Sequence, residues 1–318
     1  FLGWQVPILT NRLYGQARIL DIDITFLKKT LKEGITPVIA GFQGVSDELR
    51  ITTIGRGGSD TTAIAIASRV SADRCDVFTD VDGVFTTDPR LVKKAKKINQ
   101  LTYDEMLEMA SVGAQVLEPR AVSIAKKNNV PLIVKSSFRN VEGTKILKSR
   151  KIVEKRNISG IVFSKNDSKI TLLGIPDKPG VAAKIFGSLA KKNINVDMIV
   201  QNISIDGKFS DLTFTVLERD LIKAKQSINN IKKEIGIKNI LPDPKVAKIS
   251  IVGIGMRTNA GIAEDMFRAL AKERINIDLI STSEIKISVL ISRKHIYKAV
   301  NVLHKVFKLN DVIKELLL

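Results

Sequence analysis

The sequence predicts an α/β protein, a mainly parallel sheet with helices followed by two small α+β modules. Three observations carry this. Short apolar strands alternate with helical patterns from Phe1 to about Lys148, the signature of a largely parallel sheet. A second-half repeat matches Ser188–Ile199 (SLAKKNINVDMI) to Ala269–Ile280 (ALAKERINIDLI) at half or more of its positions. A glycine-rich run, Gly55-Arg56-Gly57-Gly58-Ser59-Asp60, lies between an apolar stretch and a helical one.

In chain order, Thr36–Ala40 reads as a strand and Ile51–Ile54 as the apolar stretch before the glycines. Ser59–Val70 reads as a helix and Asp76–Thr79 as a strand. Tyr103–Ser111 and Pro119–Asn128 read as helices, and Pro131–Lys135 as a strand. Gly143 and the basic stretch Lys148–Arg156 mark a linker, which sets boundaries at 1–148, 149–157, 158–243 and 244–318. The repeat extends upstream, Ile170–Phe186 matching Ile249–Phe267, and each module reads strand, glycine loop, helix, strand, strand, helix. The first module finds a fourth strand at Lys238–Leu241. The second has none after its last helix, Lys294–Phe307, whereas Ile158–Ser164 stands ahead of the first without a partner. Pairing that strand with the second module satisfies its backbone and makes the first module an insertion. The alternative donor is the tail Asp311–Leu318, which reads better as helix.

Composition narrows the function. At 318 residues and 44% hydrophobic, the chain can bury the cores of two or three domains. No run of eighteen apolar residues and no signal peptide is visible. One cysteine, Cys75, excludes an internal disulfide and fits a reducing cytoplasm. Two histidines, His295 and His304, disfavour zinc sites and histidine triads, and no metal site of the protein's own is expected. Net charge is +18, but the lysines are spread as pairs over several helices and only 5% of residues are aromatic. That argues against nucleic acid and for modest attraction of anionic substrates.

The chemistry concentrates in two runs. A glycine loop opening a helix offers backbone N–H groups and a positive helix end to phosphate or carboxylate. Arg56 adds a bidentate anion partner. Asp60 falls where a helix N-cap would be, so it is either a cap or a chemical group. The second run, Thr79-Asp80-Val81-Asp82-Gly83-Val84-Phe85-Thr86-Thr87-Asp88-Pro89-Arg90, leaves a strand through a tight turn. Acidic residues at a strand end near a phosphate loop suit Mg–nucleotide binding. Asp82 also reads as a plain turn residue and Pro89 as a loop stiffener.

In this order and spacing the two runs resemble the amino-acid kinase family. Gly3–Thr10 (GWQVPILT), Val38–Val45 (VIAGFQGV) and Glu105–Leu117 (EMLEMASVGAQVL) are similar to aspartate kinases, along essentially the whole chain. The repeats resemble a tandem pair of ACT domains, ferredoxin-like modules that bind amino acids. The resemblance implies phosphoryl transfer from ATP, with Mg, to the side-chain carboxylate of L-aspartate. It implies that Arg56, Gly57, Gly58 and Ser59 hold the substrate and that Asp60 orients a catalytic lysine. Thr79, Asp80, Phe85, Thr86, Thr87, Asp88, Pro89 and Arg90 would frame the nucleotide. Gln115 stands where the family often has an ATP-contacting lysine. The family's lysine-bearing loop (KFGG or similar) has no counterpart here, so the chain is expected to be an inactive fragment. The alternative is a non-catalytic regulatory subunit. In the ACT pair, Asp177, Pro179, Gly180, Val181, Asn195, Asp197 and Gln201 are the expected effector contacts of the first module, with Asp197 meeting an amino group. Ile262, Asn276, Thr282 and Ser283, beside Ala260, are those of the second. Lysine or threonine is the expected effector, and a homodimer or higher oligomer through the ACT halves the expected assembly.

Overall fold

The computed structural model describes residues 1–114, 116–149, 158–204, 207–254, 256 and 261–310. The chain divides into two compact units. The first is built on Phe1–Gly160 with Val252–Gly255, the second on Ile161–Ile251 and Met256–Lys308. No helix among the described residues is long and apolar enough to cross a membrane.

The first unit runs β1 (Ile8–Thr10), β2 (Ile19–Ile22), α1 (Thr25–Lys32), β3 (Gln43–Ser46), β4 (Ile51–Thr53), α2 (Gly58–Val70), β5 (Cys75–Thr79), β6 (Gln100–Thr102), α3 (Tyr103–Val112), α4 (Pro119–Asn128), β7 (Leu132–Ser136) and β8 (Thr144–Leu147). Its strands form two sheets, β2-β1-β3-β4 and β5-β7-β8-β6. Pairs β1/β3, β5/β7 and β6/β8 are parallel, while β1/β2, β3/β4 and β7/β8 are antiparallel. Helical crossovers permit the parallel pairs, and the short connections impose the antiparallel ones. Val6, Ile8, Ile22, Leu27 and Ala65 form one apolar core. Leu132, Val134 and Ile146 alternate inward on the second sheet.

Two expectations are corrected here. Thr36–Ala40 is not a strand. Pro37 has no N–H to give, and among the described residues the segment is tied only to Phe1, whose amino group donates to Val38 O and whose carbonyl accepts from Ala40 N–H at 2.8 Å. Asp60 is not the N-cap of α2. That place belongs to Gly57, with φ 63°, and Asp60 lies three residues further in. The linker positions 150–157 and the tail 311–318 lie outside the described residues.

The second unit continues from β9 (Gly160–Ser164) through β10 (Asp167–Pro176), α5 (Val181–Ala190), β11 (Val196–Ile203), β12 (Phe209–Leu217), α6 (Leu221–Ile235), β13 (Asn239–Asp243), β14 (Val246–Val252), α7 (Gly261–Lys272), β15 (Ile277–Thr282), β16 (Lys286–Ser292) and α8 (Ile296–Val306). The strand orders are β11-β12-β10-β13 and β15-β16-β14-β9. The later sheet thus takes its fourth strand from ahead of the earlier module. Each sheet packs its helices over one face; Ile170, Leu172, Ile185, Leu189, Phe214 and Ile228 are buried together in the first.

The two modules meet along a seam with repeat symmetry. Lys248 of β14 reaches Asp197 of β11, and Lys169 of β10 reaches Asp278 of β15 at 3.1 Å. In the repeat, Lys169 aligns with Lys248 and Asp197 with Asp278. The pairs are therefore reciprocal. Met198, Val246, Leu279 and Leu290 fill the apolar part of the seam.

Candidate active site and effector cavity

β4 delivers the chain into the glycine loop, and α2 leaves it. Gly55 and Gly57 adopt φ 90° and 63°, a region that costs glycine nothing and other residues dearly. The turn closes by Gly58 N–H to Gly55 O at 2.9 Å. A side chain on Gly58 would stand 2.8 Å from the Phe42 ring and 3.1 Å from Ile54. The loop is bare because its surroundings leave no room for anything else. Thr61 and Thr62 turn their hydroxyls back to Gly57 O and Gly58 O, at 3.0 and 2.7 Å. Phe42, seated on this loop, is held at φ 70°, a strained value for an aromatic residue.

Arg56 is exposed at the loop, while Asp60 is partly buried. Burial holds the Asp60 carboxyl above the ordinary aspartate range. The N-cap of α2 is Gly57, so Asp60 does not cap the helix but lies in its first turn.

Glu118, which sequence reasoning missed, completes this cluster. It is the N-cap residue of α4, and a Cβ on Gly57 would lie 2.5 Å from Glu118 Cβ and 3.2 Å from its Oε2. Burial pushes Glu118 upward, Arg56 pulls it down, and the charge of Asp60 raises it further. Behind it, Arg120 donates to Ala17 O at 2.8 Å and Ile54 O at 3.3 Å, tying α4 to the strand that enters the loop. The only sequence signal for Glu118 was its place before Pro119 at a helix start. Replacing it by glutamine should stabilise the fold at neutral pH, because a desolvated anion is removed. The raised folded pKa makes native Glu118 take up its proton before the unfolded chain does as pH falls. The advantage of Glu118→Gln should therefore shrink as pH falls through that raised pKa. Parallel melting curves across acid pH check this.

The second run leaves β5 and folds as a small hairpin. Thr79 donates to Asp80 Oδ1 at 3.1 Å, and its carbonyl accepts from Ser137 N–H. Gly83, at φ 144°, leaves space for Thr144 Oγ1, which accepts from Val84 N–H at 2.8 Å. Phe85 bridges Lys97, and Thr86 exchanges bonds with Lys96. Asp88 chelates the Arg90 guanidinium at 2.9 and 3.0 Å, with Pro89 between them. Asp82 pairs with Arg139 at 2.6 Å. Two buried polar atoms here, Asp82 Oδ1 and Thr87 Oγ1, lack a hydrogen-bond partner among the described residues. Such atoms suit a ligand. Gln115 lies outside the described residues.

In the first repeat module, Asp177, Pro179, Gly180, Val181 and Gln201 line one cavity of ≈ 370 Å³. Gly180, at φ 90°, is the N-cap of α5, so the backbone N–H groups of that helix end open on the cavity. Gln201 donates to Ser210 Oγ at 3.1 Å. Asn195 and Asp197 do not line the cavity. Asp197 precedes Gln201 by four strand positions, ~13 Å at the usual rise, and its carboxylate holds Lys248. Asn276 likewise supports the seam, donating to Asp278 at 3.3 Å. Ile262 lies in the first turn of α7, with Thr282 and Ser283 at the end of β15. Ala260 is outside the described residues.

Comparison with known proteins agrees with this layout. Residues 3–136 match the amino acid kinase family, and 170–231 and 249–307 each match the ACT domain. An aspartate kinase of Pseudomonas fluorescens is 51% identical over 311 residues, 98% of this chain and 75% of the relative. The chain belongs to the aspartate kinase family. A Helicobacter pylori aspartokinase is 46% identical over 97% of this chain and 76% of its own length. Among solved structures, Escherichia coli aspartokinase III in complex with aspartate and ADP superposes with a TM-score of 0.80 at 28% identity. That match covers 96% of this chain and 69% of the other. The same enzyme with lysine and aspartate gives 0.73 at 27% identity, covering 96% and 68%. As a family member the chain is a kinase that uses ATP and carries ACT regulatory domains.

Proposed function

We propose that the first unit transfers the γ-phosphoryl group of ATP to the side-chain carboxylate of L-aspartate, giving 4-phospho-L-aspartate. The observation that carries this is the bare glycine loop at the start of α2, with Arg56 on it and the uncapped Asp60 carboxylate one turn in. A carboxylate nucleophile is already ionised at neutral pH, so no general base is required. The work is positioning and charge neutralisation. Arg56 takes a substrate carboxylate, and Gly57, Gly58 and Ser59 admit the reacting groups to the backbone. Asp60 is placed to orient the ammonium of the lysine that the family carries on its KFGG-type loop. Thr79, Asp80 and Phe85–Arg90 frame the nucleotide. No group of three or more metal-ligating side chains stands together among the described residues. Magnesium needs only one or two carboxylates besides phosphates and water, and Asp80 and Asp82 fit that need. When bound, it neutralises the charge of the β- and γ-phosphates. Trapping the acyl phosphate with hydroxylamine tests the reaction in a protein that also carries the family's lysine-bearing loop. ATP-dependent hydroxamate from aspartate, and none from glutamate, is expected.

The cavity at Asp177–Val181 is the site for a feedback effector, lysine or threonine, whose carboxylate would meet the α5 N-terminus. The lysine held by the Escherichia coli neighbour supports an amino-acid effector. We propose a homodimer through the ACT halves, with the effector strengthening it. A ligand at about a hundred times its dissociation constant adds ~2.7 kcal/mol to the folded state. Millimolar lysine or threonine should therefore raise the melting temperature, and Gly180→Val should abolish the rise. No shift with either amino acid, with a monomer by sedimentation, would sink this reading.

A further inference from the structure

Gly160 lies beyond the stretch that matches the amino acid kinase family, yet it touches the nucleotide hairpin. A Cβ on Gly160 would stand 2.9 Å from Thr86 O and 3.0 Å from Met109 Cε. The first neighbour is backbone and cannot swing aside. Thr86 is doubly tied to Lys96, its N–H donating to Lys96 O at 2.9 Å and its Oγ1 accepting from Lys96 N–H at 3.0 Å. Phe85 bridges Lys97 immediately before it. The hairpin therefore meets Gly160 as a braced unit.

The neighbouring residue is anchored as firmly. Ser159 donates its hydroxyl to Glu105, and its N–H donates to Val252 O at 2.7 Å. Glu105 is fully buried. Its other oxygen closes the capping box of α3, accepting from Thr102 N–H at 2.9 Å and Thr102 Oγ1 at 3.0 Å. One carboxylate thus fixes both Ser159 and the start of α3, the helix that leads to Gln115 and Glu118. Met109, the second neighbour of Gly160, lies on that same helix.

We propose that Ser159 and Gly160 form a seat for the nucleotide hairpin, and that Gly160 is a positioning residue for ATP. This rests on the nucleotide reading of Phe85–Arg90. Glycine is required there for closeness of approach rather than for an unusual backbone angle, since Gly160 is not among the positive-φ glycines. Gly160→Ala is therefore sterically specific: alanine accepts the backbone conformation, and its methyl must displace the Thr86 carbonyl. Ser159→Ala acts differently. It adds no bulk and loosens the seat by removing the bond to Glu105.

The test uses the full-length protein, with ADP binding by calorimetry and circular dichroism as the check on folding. Gly160→Ala is expected to weaken ADP binding at least fivefold. In turnover, KM for ATP should rise by a similar factor, with kcat and KM for aspartate within twofold of wild type. A role confined to stability would leave that split absent. For Ser159→Ala, amide hydrogen exchange should quicken across Val84–Ile98 while the strands of the β1 sheet stay protected. This arm stands even if Gly160→Ala does not fold. Wild-type affinity for ADP in a folded Gly160→Ala protein, or unchanged exchange in Ser159→Ala, overturns the proposal. No ADP binding by the wild type would instead overturn the nucleotide reading on which it rests.

Discussion

In the full-length protein, Asp60→Ala is expected to lower kcat by ~10²–10³, the usual cost of removing one preorganised charge from a transfer site. The melting temperature should change little. A helix cap behaves in the opposite way, costing stability and sparing chemistry. Asp60 has no cap bond to lose, because Gly57 occupies the N-cap. It also carries an unfavourable burial that holds its pKa up. As the acidic residue of the first turn of α2, Asp60 also faces the positive end of the helix dipole, so the kcat readout decides between a chemical and a structural use of its charge. Asp60→Asn sharpens the contrast, since it keeps the shape and removes the charge. At neutral pH it should melt no lower than wild type and be nearly as inactive as the alanine variant. As pH falls, native Asp60 takes up its proton first, so any stability gained by Asp60→Asn should fade. Arg56→Ala should lose turnover on a similar scale, with its larger effect on KM for aspartate, if the guanidinium exposed on the loop takes the substrate carboxylate as proposed. Near-normal turnover for Asp60→Ala would return that residue to a merely structural place.

What the sequence disclosed depended on how local the cause was. α2 and α4 were readable to within a residue, because a glycine run starts one and Pro119 the other. Thr36–Ala40 has the composition of a strand, but a strand exists only with a partner along its length, and composition says nothing of that. Arg56 and the Phe85–Arg90 turn could be placed at the ends of α2 and β5 because each lies in one contiguous run. Glu118 could not be found this way, since its relation to Gly57 is made by α4 packing across α2. Ser159 and Gly160 were legible only as the start of a lone strand. The repeat showed that Asp197 and Asp278 are equivalent, but not that each faces the lysine of the other module. A polar residue among apolar ones reads equally as a ligand contact or an internal ion pair. Only the partner decides, and here Lys248 is that partner.

Lys248→Met is expected to be the most damaging single change in the second unit. Lys248 sits in β14, whose every residue is buried, and its side chain is 6% exposed. It neutralises two aspartates with different access to water. Asp197 is 53% exposed and recovers hydration when the lysine is gone. Asp167, at 3.8 Å and 5% exposed, cannot. Its Oδ2 is already buried without a hydrogen-bond partner among the described residues. Removing one partner of a buried pair and leaving the other charge behind costs ~3–5 kcal/mol. The repeat supplies an internal control. Lys169 and Asp278 form the reciprocal pair across the same seam, but at 20% and 25% exposure. Water can replace much of that interaction, so Lys169→Met should cost only ~1 kcal/mol. Adding Asp167→Asn to Lys248→Met removes the stranded charge and should restore most of the loss. Urea unfolding of the three variants measures all of this, read from the transition of the second unit. Equal losses for Lys248→Met and Lys169→Met would mean that burial does not set the strength of the seam. No recovery in the double variant would mean that the Lys248 side chain acts there through packing rather than charge.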